Sequence, residues 1–175
     1  GRAKILELAL QDIDKEHLEK FKLFLNSSHP ILYMSKKAFR IRFSSNVLCN
    51  ELEKYGIVQR KSLTATPKNG IYKSKNFWRG MIDGDGCISV QKYRTITLCL
   101  VGSEEVIKQF SEFNNKYLNI IHSPIVKRAN SYIVTYTGER ARKIIEHLYN
   151  GSSIYLNRKK EKVVDLLNKW DIQIN

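Results

Sequence analysis

A run near the middle of the chain, Phe77-Trp78-Arg79-Gly80-Met81-Ile82-Asp83-Gly84-Asp85-Gly86, holds the residues best suited to chemistry. Gly80 and Gly84 are four positions apart, so they share one face of a helix. With no side chains there, a second helix can approach to near backbone contact. Asp83 and Asp85 fall at the end of that helix, and a strand-like stretch, Cys87-Ile88-Ser89-Val90-Gln91, follows at once. A closely packed helix that presents a carboxylate at its tip is suited to holding a metal ion. Two such tips side by side repel each other unless cations lie between them. Oxygen ligands of this kind suit Mg2+, which can activate a water for hydrolysis. Standing alone, Asp-Gly is also an ordinary turn, so the surrounding elements must decide.

Those elements recur with a period of roughly ninety residues. Leu6-Glu7-Leu8-Ala9-Leu10 alternates as a strand does and leads into a helix beginning near Asp14, with Leu18, Phe21 and Leu25 on one face. Ile96-Thr97-Leu98-Cys99-Leu100 alternates likewise, and Ser103 precedes a second helix carrying Ile107 and Phe110. Asp14 and Ser103 both suit helix N-caps. A hairpin follows in each copy, 31–34 with 39–43 and then 125–127 with 132–136. A further helix follows each hairpin, one led by Ser45 and the other by Thr137. Both copies then reach a basic cluster, Gln59-Arg60-Lys61 and Asn157-Arg158-Lys159-Lys160. The domains expected are a first half over 1–63, a Pro/Gly/Lys-rich linker over 64–75, and a second half over 76–175. The last of these ends in a helix over 161–170, which places Val163, Leu167 and Trp170 on one side to cover it.

The charge indicates the partner. The 175 residues carry 30 Lys+Arg and 17 Asp+Glu, a formal charge of +13, with a pI of about 9.7. Residues 1–70 contribute +6 and residues 71–175 contribute +7, so the excess is not a tail. A field spread over both halves suits a polyanion, nucleic acid ahead of a membrane surface. Three cysteines without CxxC spacing argue for a reducing, intracellular setting and against a disulfide framework or zinc site. That setting is cytoplasm, nucleoid or an organelle matrix. No run approaches a membrane span.

With these residues in place, the chain resembles the LAGLIDADG homing endonucleases. Gly80, Ile82, Asp83, Asp85 and Gly86 match that motif letter for letter, and the strands and helices after it match the family's αββαββα half. The resemblance implies an α+β fold of two pseudo-symmetric halves, whose antiparallel sheets form a DNA-binding saddle. It also implies site-specific double-strand DNA cleavage with Mg2+ or Mn2+, the metal on Asp85, and Gly80 and Gly84 at a helix interface. Lys61 and Lys159 occupy equivalent places in the repeat, where similar proteins put a basic residue near the scissile phosphates. Asp83 suits a structural, packed role.

Alternation within the strands sorts out a DNA-reading face. Phe39, Ile41 and Phe43 face the helices, leaving Arg40 and Arg42 outward; Ser89, Gln91, Tyr93, Thr95 and Thr97 point outward in the second half. Lys36, Lys37, Lys127 and Arg128 lie at hairpin tips. Arg suits guanine and Gln suits adenine in a major groove. Glu7 on the same face fits poorly against phosphate, unless it reads a cytosine or pairs with a neighbouring Arg.

One departure stands out. Asp85 lies eleven positions before Ile96, and eleven positions before Ile5 is upstream of Gly1. The first half is therefore expected to lack its N-terminal helix and first strand. A missing segment of the same polypeptide, the loss of that motif, or pairing of two chains would each explain this, the first being preferred. The partner expected is duplex DNA with a long recognition site, with intron RNA as a second candidate. The alternative to a nuclease is a non-cleaving DNA- or RNA-binding protein of the same fold, such as an intron maturase or a transcription regulator.

Overall fold

The computed structural model describes residues 3–35, 37–58, 65–90 and 95–171, the last six of these by backbone alone. The first half runs β1 (Ile5–Gln11), a 3-10 turn (Asp12–Asp14), α1 (Lys15–Phe24), β2 (Leu32–Met34), β3 (Ala38–Ser44) and α2 (Asn46–Lys54). After a short 3-10 turn (Ile71–Lys73) comes α3 (Lys75–Asp85). The second half continues with β4 (Gly86–Val90), β5 (Ile96–Gly102), α4 (Glu104–Leu118), β6 (Ile125–Arg128), β7 (Ser131–Thr137), α5 (Gly138–Tyr149) and α6 (Asn157–Asp171).

Both sheets are antiparallel, ordered β1-β3-β2 and β4-β5-β7-β6. The repeat is thus real: β1, α1, β2, β3 and α2 correspond to β5, α4, β6, β7 and α5. β5 is flanked on both sides, by β4 and β7, whereas among the described residues β1 pairs with β3 alone.

Each half builds its core on one sheet face. In the second, Ile96, Leu98 and Leu100 of β5 and Val134 and Tyr136 of β7 are buried beneath Trp78 and Ile82 of α3, Phe110 of α4 and Ile144 of α5. Val163 of α6 joins this cluster, while the side chains of Leu167 and Trp170 lie outside the described residues. In the first, Leu18, Ile41 and Phe43 are the buried members, and Leu6, Leu8, Leu10, Phe21 and Leu25 pack on them half covered.

The local signals mostly act as expected. The Ser45 hydroxyl accepts from Leu48 N at 3.2 Å and caps α2. Ser103 likewise accepts from Val106 N at 3.2 Å and caps α4. Asp14 does not cap: its side chain makes no cap hydrogen bond, and Arg158 Nε donates to both its oxygens at 3.0 Å. A guanidinium within reach outcompetes a backbone amide for a carboxylate. Another difference lies at the second basic cluster. Asn157 to Lys160 form the first turn of α6 rather than a loop before it, with the Lys159 and Lys160 amides donating to Leu156 O.

The linker from 65 onward is packed rather than loose. Ser103 donates to Ala65 O, Lys68 N donates to Tyr55 O, and Pro67 is buried. Gly56 makes this approach possible. Its φ is +86°, and a Cβ there would lie 2.0 Å from Thr66 O, so no other residue fits without moving the chain.

Candidate nucleic-acid interface and catalytic corner

The site is organised by α3, whose faces serve three purposes. Trp78, Arg79, Ile82 and Asp83 are buried. Phe77, Met81 and Asp85 line a groove of about 540 Å³ shared with Ile57 of the first half and Val101 of β5. Gly80 and Gly84 are exposed, and a Cβ added to either would meet nothing within 4 Å. That glycine face borders a second groove of about 200 Å³, whose far side includes Leu8 and Leu10 of β1. The two glycines therefore sit side by side as expected, and no described residue packs on them.

Asp85 ends α3 and is exposed; Gly86 then turns the chain directly into β4. The turn is tight for a spatial reason. A Cβ on Gly86 would lie 2.7 Å from both Cα and O of Ile82. Lys159 secures this corner from behind. Its buried ammonium donates to Ile82 O and, at 2.7 Å, to Gly86 O. A cation on the last carbonyls satisfies orphan acceptors and complements the helix dipole. Burial and the neighbouring Arg158 push the Lys159 pKa down, while Asp83 and Asp85 pull it back up.

Asp83 is structural, as its position suggested. The Tyr149 hydroxyl donates to Oδ1 at 2.6 Å and Leu156 N donates to Oδ2 at 3.0 Å. Burial raises the Asp83 pKa against the pull of these bonds, and burial beside Asp83 drives the Tyr149 pKa up strongly. Arg79 reaches the same segment, donating to Ile154 O at 2.8 Å and Leu148 O at 3.2 Å. Residues 148–160 are thereby bound along α3, and this binding holds Lys159 in place. The segment also joins the halves: Asp14 meets Arg158, Lys20 donates to Asn157 Oδ1 at 2.8 Å, and His17 Nδ1 lies 3.2 Å from Tyr155 O.

The predicted DNA contacts divide between the open sheet faces, the hairpin tips and residues outside the described ones. Arg40 and Arg42 point outward, and both pair with Glu7, Arg40 at 3.5 Å. Glu7 thus resolves as the partner of these arginines. Lys37, Lys127 and Arg128 are exposed, and Ser89 and Thr95 are partly so. Thr97 departs from expectation: it is buried, with its hydroxyl unpartnered, because it lies on central β5 between Ser89 of β4 and Thr137 of β7. Lys36, Lys61, Gln91 and Tyr93 lie outside the described residues.

Several participants were not anticipated. Arg79 and Tyr149 act through long-range hydrogen bonds, and the Asp14–Arg158 pair spans the two halves; no sequence spacing announces either. Thr135 and Thr137 on the open face could have been found by extending the strand alternation through β7.

No family model matches the sequence, and neither does any curated protein. Solved structures do match. The LAGLIDADG meganuclease I-AabMI bound to uncleaved DNA has a TM-score of 0.64 at 13% identity, covering 97% of this chain and 81% of that one. The I-LtrWI LAGLIDADG homing endonuclease bound to target DNA gives 0.65 at 14%, over 98% and 80%. Meganuclease I-CpaMI bound to uncleaved DNA gives 0.65 at 14%, over 96% and 80%. The chain has the LAGLIDADG meganuclease fold, mixed α and β with two antiparallel sheets.

Proposed function

We propose that this protein is a site-specific endonuclease that cuts both strands of duplex DNA by metal-dependent hydrolysis. The observation that carries the reading is the corner at Asp85: an exposed carboxylate at a helix tip, braced by a buried lysine and bordered by an open glycine face. Spread positive charge and the DNA-bound state of the similar structures support the partner.

The donor set suits Mg2+ or Mn2+. Mg2+ is commonly held by one or two carboxylates, with waters and substrate phosphates completing its shell. Asp85 would supply one carboxylate, and bound metal would supply activation of water and charge stabilisation at the leaving oxygen. Gly86 and the Lys159 bridge hold the Asp85 backbone still, so the carboxylate need not be ordered at the moment of reaction. An ammonium has three protons. Lys159 uses two on carbonyls, and from its buried place it would act on a phosphate near Asp85 through its charge. Lys61, by its equivalent place in the repeat, is proposed for the same task at the other strand. Arg40, Arg42, Lys37, Lys127 and Arg128 would hold the backbone or read base edges, with Lys36, Ser89, Gln91, Tyr93 and Thr95 completing the proposed face.

The second carboxylate would come from a helix laid against Gly80 and Gly84. It could belong to a further segment of the same polypeptide or to another chain. The alternative is a non-cleaving DNA- or RNA-binding protein of the same fold, which the spread positive charge would serve equally well.

The test is cleavage of candidate insertion-site DNA with Mg2+, with and without the complementing helix. Asp85→Asn should reduce cleavage by about 10²–10³-fold, the equivalent of several kcal/mol, while leaving DNA binding intact. Steeply salt-dependent binding without any cut, even with the helix supplied, would establish the alternative.

A further inference from the structure

Two thiols lie just beyond this corner, and the scheme above gives them no task. β4 and β5 set Cys87 directly opposite Cys99 in antiparallel register. Their neighbours Ile88, Leu98 and Leu100 are buried, so both cysteines lie on the open face. Cys87 is exposed, Cys99 is half-buried, and both are free thiols. On that face the two side chains are cross-strand neighbours.

Directly opposed residues of an antiparallel pair have Cα atoms about 4.5–5.5 Å apart. A disulfide requires about 4.4–6.8 Å. The backbones are thus already at bridging distance, and closing the bond needs side-chain rotation with a small approach of the Cβ atoms. The third cysteine, Cys49, lies on α2 in the other half.

We propose that Cys87 and Cys99 form an oxidative modification site, at which a peroxide converts the facing thiols into a cross-strand disulfide. The exposed Cys87 sulphur attacks the peroxide O–O bond, giving a sulfenic acid and one water. The Cys99 sulphur then displaces the sulfenic oxygen, which leaves as a second water with the thiol proton. The two sulphurs together lose two electrons, and the peroxide gains them. The bond joins edge strand β4 to β5 two residues past Asp85. Its formation is independent of what the protein cuts; its effect on cleavage rests on the function proposed above.

The experiment is peroxide treatment of the whole reduced chain, followed by peptide mapping without reductant. A Cys87–Cys99 linked peptide is expected, lighter by two hydrogens and reversed by dithiothreitol. In Cys99→Ser, Cys87 should instead be trapped as a sulfenic acid by dimedone, while Cys49→Ser should cross-link as the wild type does. Sulfinic or sulfonic Cys87 beside an unmodified Cys99, or linkage through Cys49, would overturn the proposal. The same samples assayed on DNA separate the two questions. A cross-link in a protein that never cuts, even with the complementing helix supplied, overturns the nuclease reading and supports the thiol site; cutting without a cross-link does the reverse.

Discussion

The two halves share one order of strands and helices and differ in how much of it they cover. In the second, α3, α4 and α5 enclose β5 and β7, and Leu98, Leu100 and Val134 are fully buried. In the first, α1 and α2 are the helices on the sheet among the described residues, and Leu6, Leu8 and Leu10 of β1 are half covered. Their open faces differ as well. The first carries Glu7, Arg40 and Arg42, whereas the second carries Cys87, Ser89, Cys99, Thr135 and Thr137. A repeated pattern therefore sets topology, but the third helix decides whether a sheet becomes a closed core.

That contrast can be broken most directly in the cores. Leu98→Ala should cost about 4–5 kcal/mol, near the top of the range for buried aliphatic truncations. Ile41→Ala should cost about 2–3 kcal/mol, because the thinner first half can collapse around the gap. Urea denaturation of both variants measures the difference. Equal losses would mean that the visible asymmetry of cover is not one of energy.

A smaller effect separates the corner of the second half from anything in the first. Burial raises the folded pKa of Asp83 above its ordinary 3.8. The folded state therefore binds that proton more tightly than the unfolded chain does. Its contribution to stability is complete below pH 3.8 and is lost as pH rises through the raised folded value. Asp83→Asn lacks this dependence. Its deficit, about 1 kcal/mol for one lost acceptor, should be largest in acid and shrink as pH rises. Thermal unfolding of both proteins across that window is the measurement, and a deficit constant with pH would refute the assignment.

The smallest stability effect should be on the first open face. Glu7→Gln removes partly exposed ion pairs, worth about 0–1 kcal/mol. It also releases Arg40 and Arg42 for phosphate, so DNA affinity should rise and its salt dependence steepen by about 0.9 per new contact. An unchanged salt slope would show that these arginines do not reach the DNA backbone.

What could be read in advance follows from the range of the forces involved. Strand alternation, the cap at Ser103, the repeat and the helix tip at Asp85 depend on neighbours in sequence, and all were legible. The capping role of Asp14 was misread because its competitor, Arg158, is distant in the chain. Thr97 was placed outward by a correct alternation, yet it is covered by flanking strands that period alone does not weigh. The linker from 65 onward looked loose by composition, but its carbonyls meet Ser103 and its approach is set by Gly56. Within the site, Asp83 and Asp85 were separable by position; the bridge from Lys159 to two backbone carbonyls was not.

The glycine face of α3 has a consequence for folding equilibria. Whatever helix seats against Gly80 and Gly84 also borders Leu8 and Leu10 of the first half. Such an occupant binds the native state alone, so by mass action it raises stability with its own concentration. The gain should be uneven. Amides of β1 and β3 should become slower to exchange with solvent deuterium, while those of β5 and β7, already enclosed, change least. The first half would then be a conditional fold, and assembly of the proposed metal site and completion of its weaker core would be one linked event.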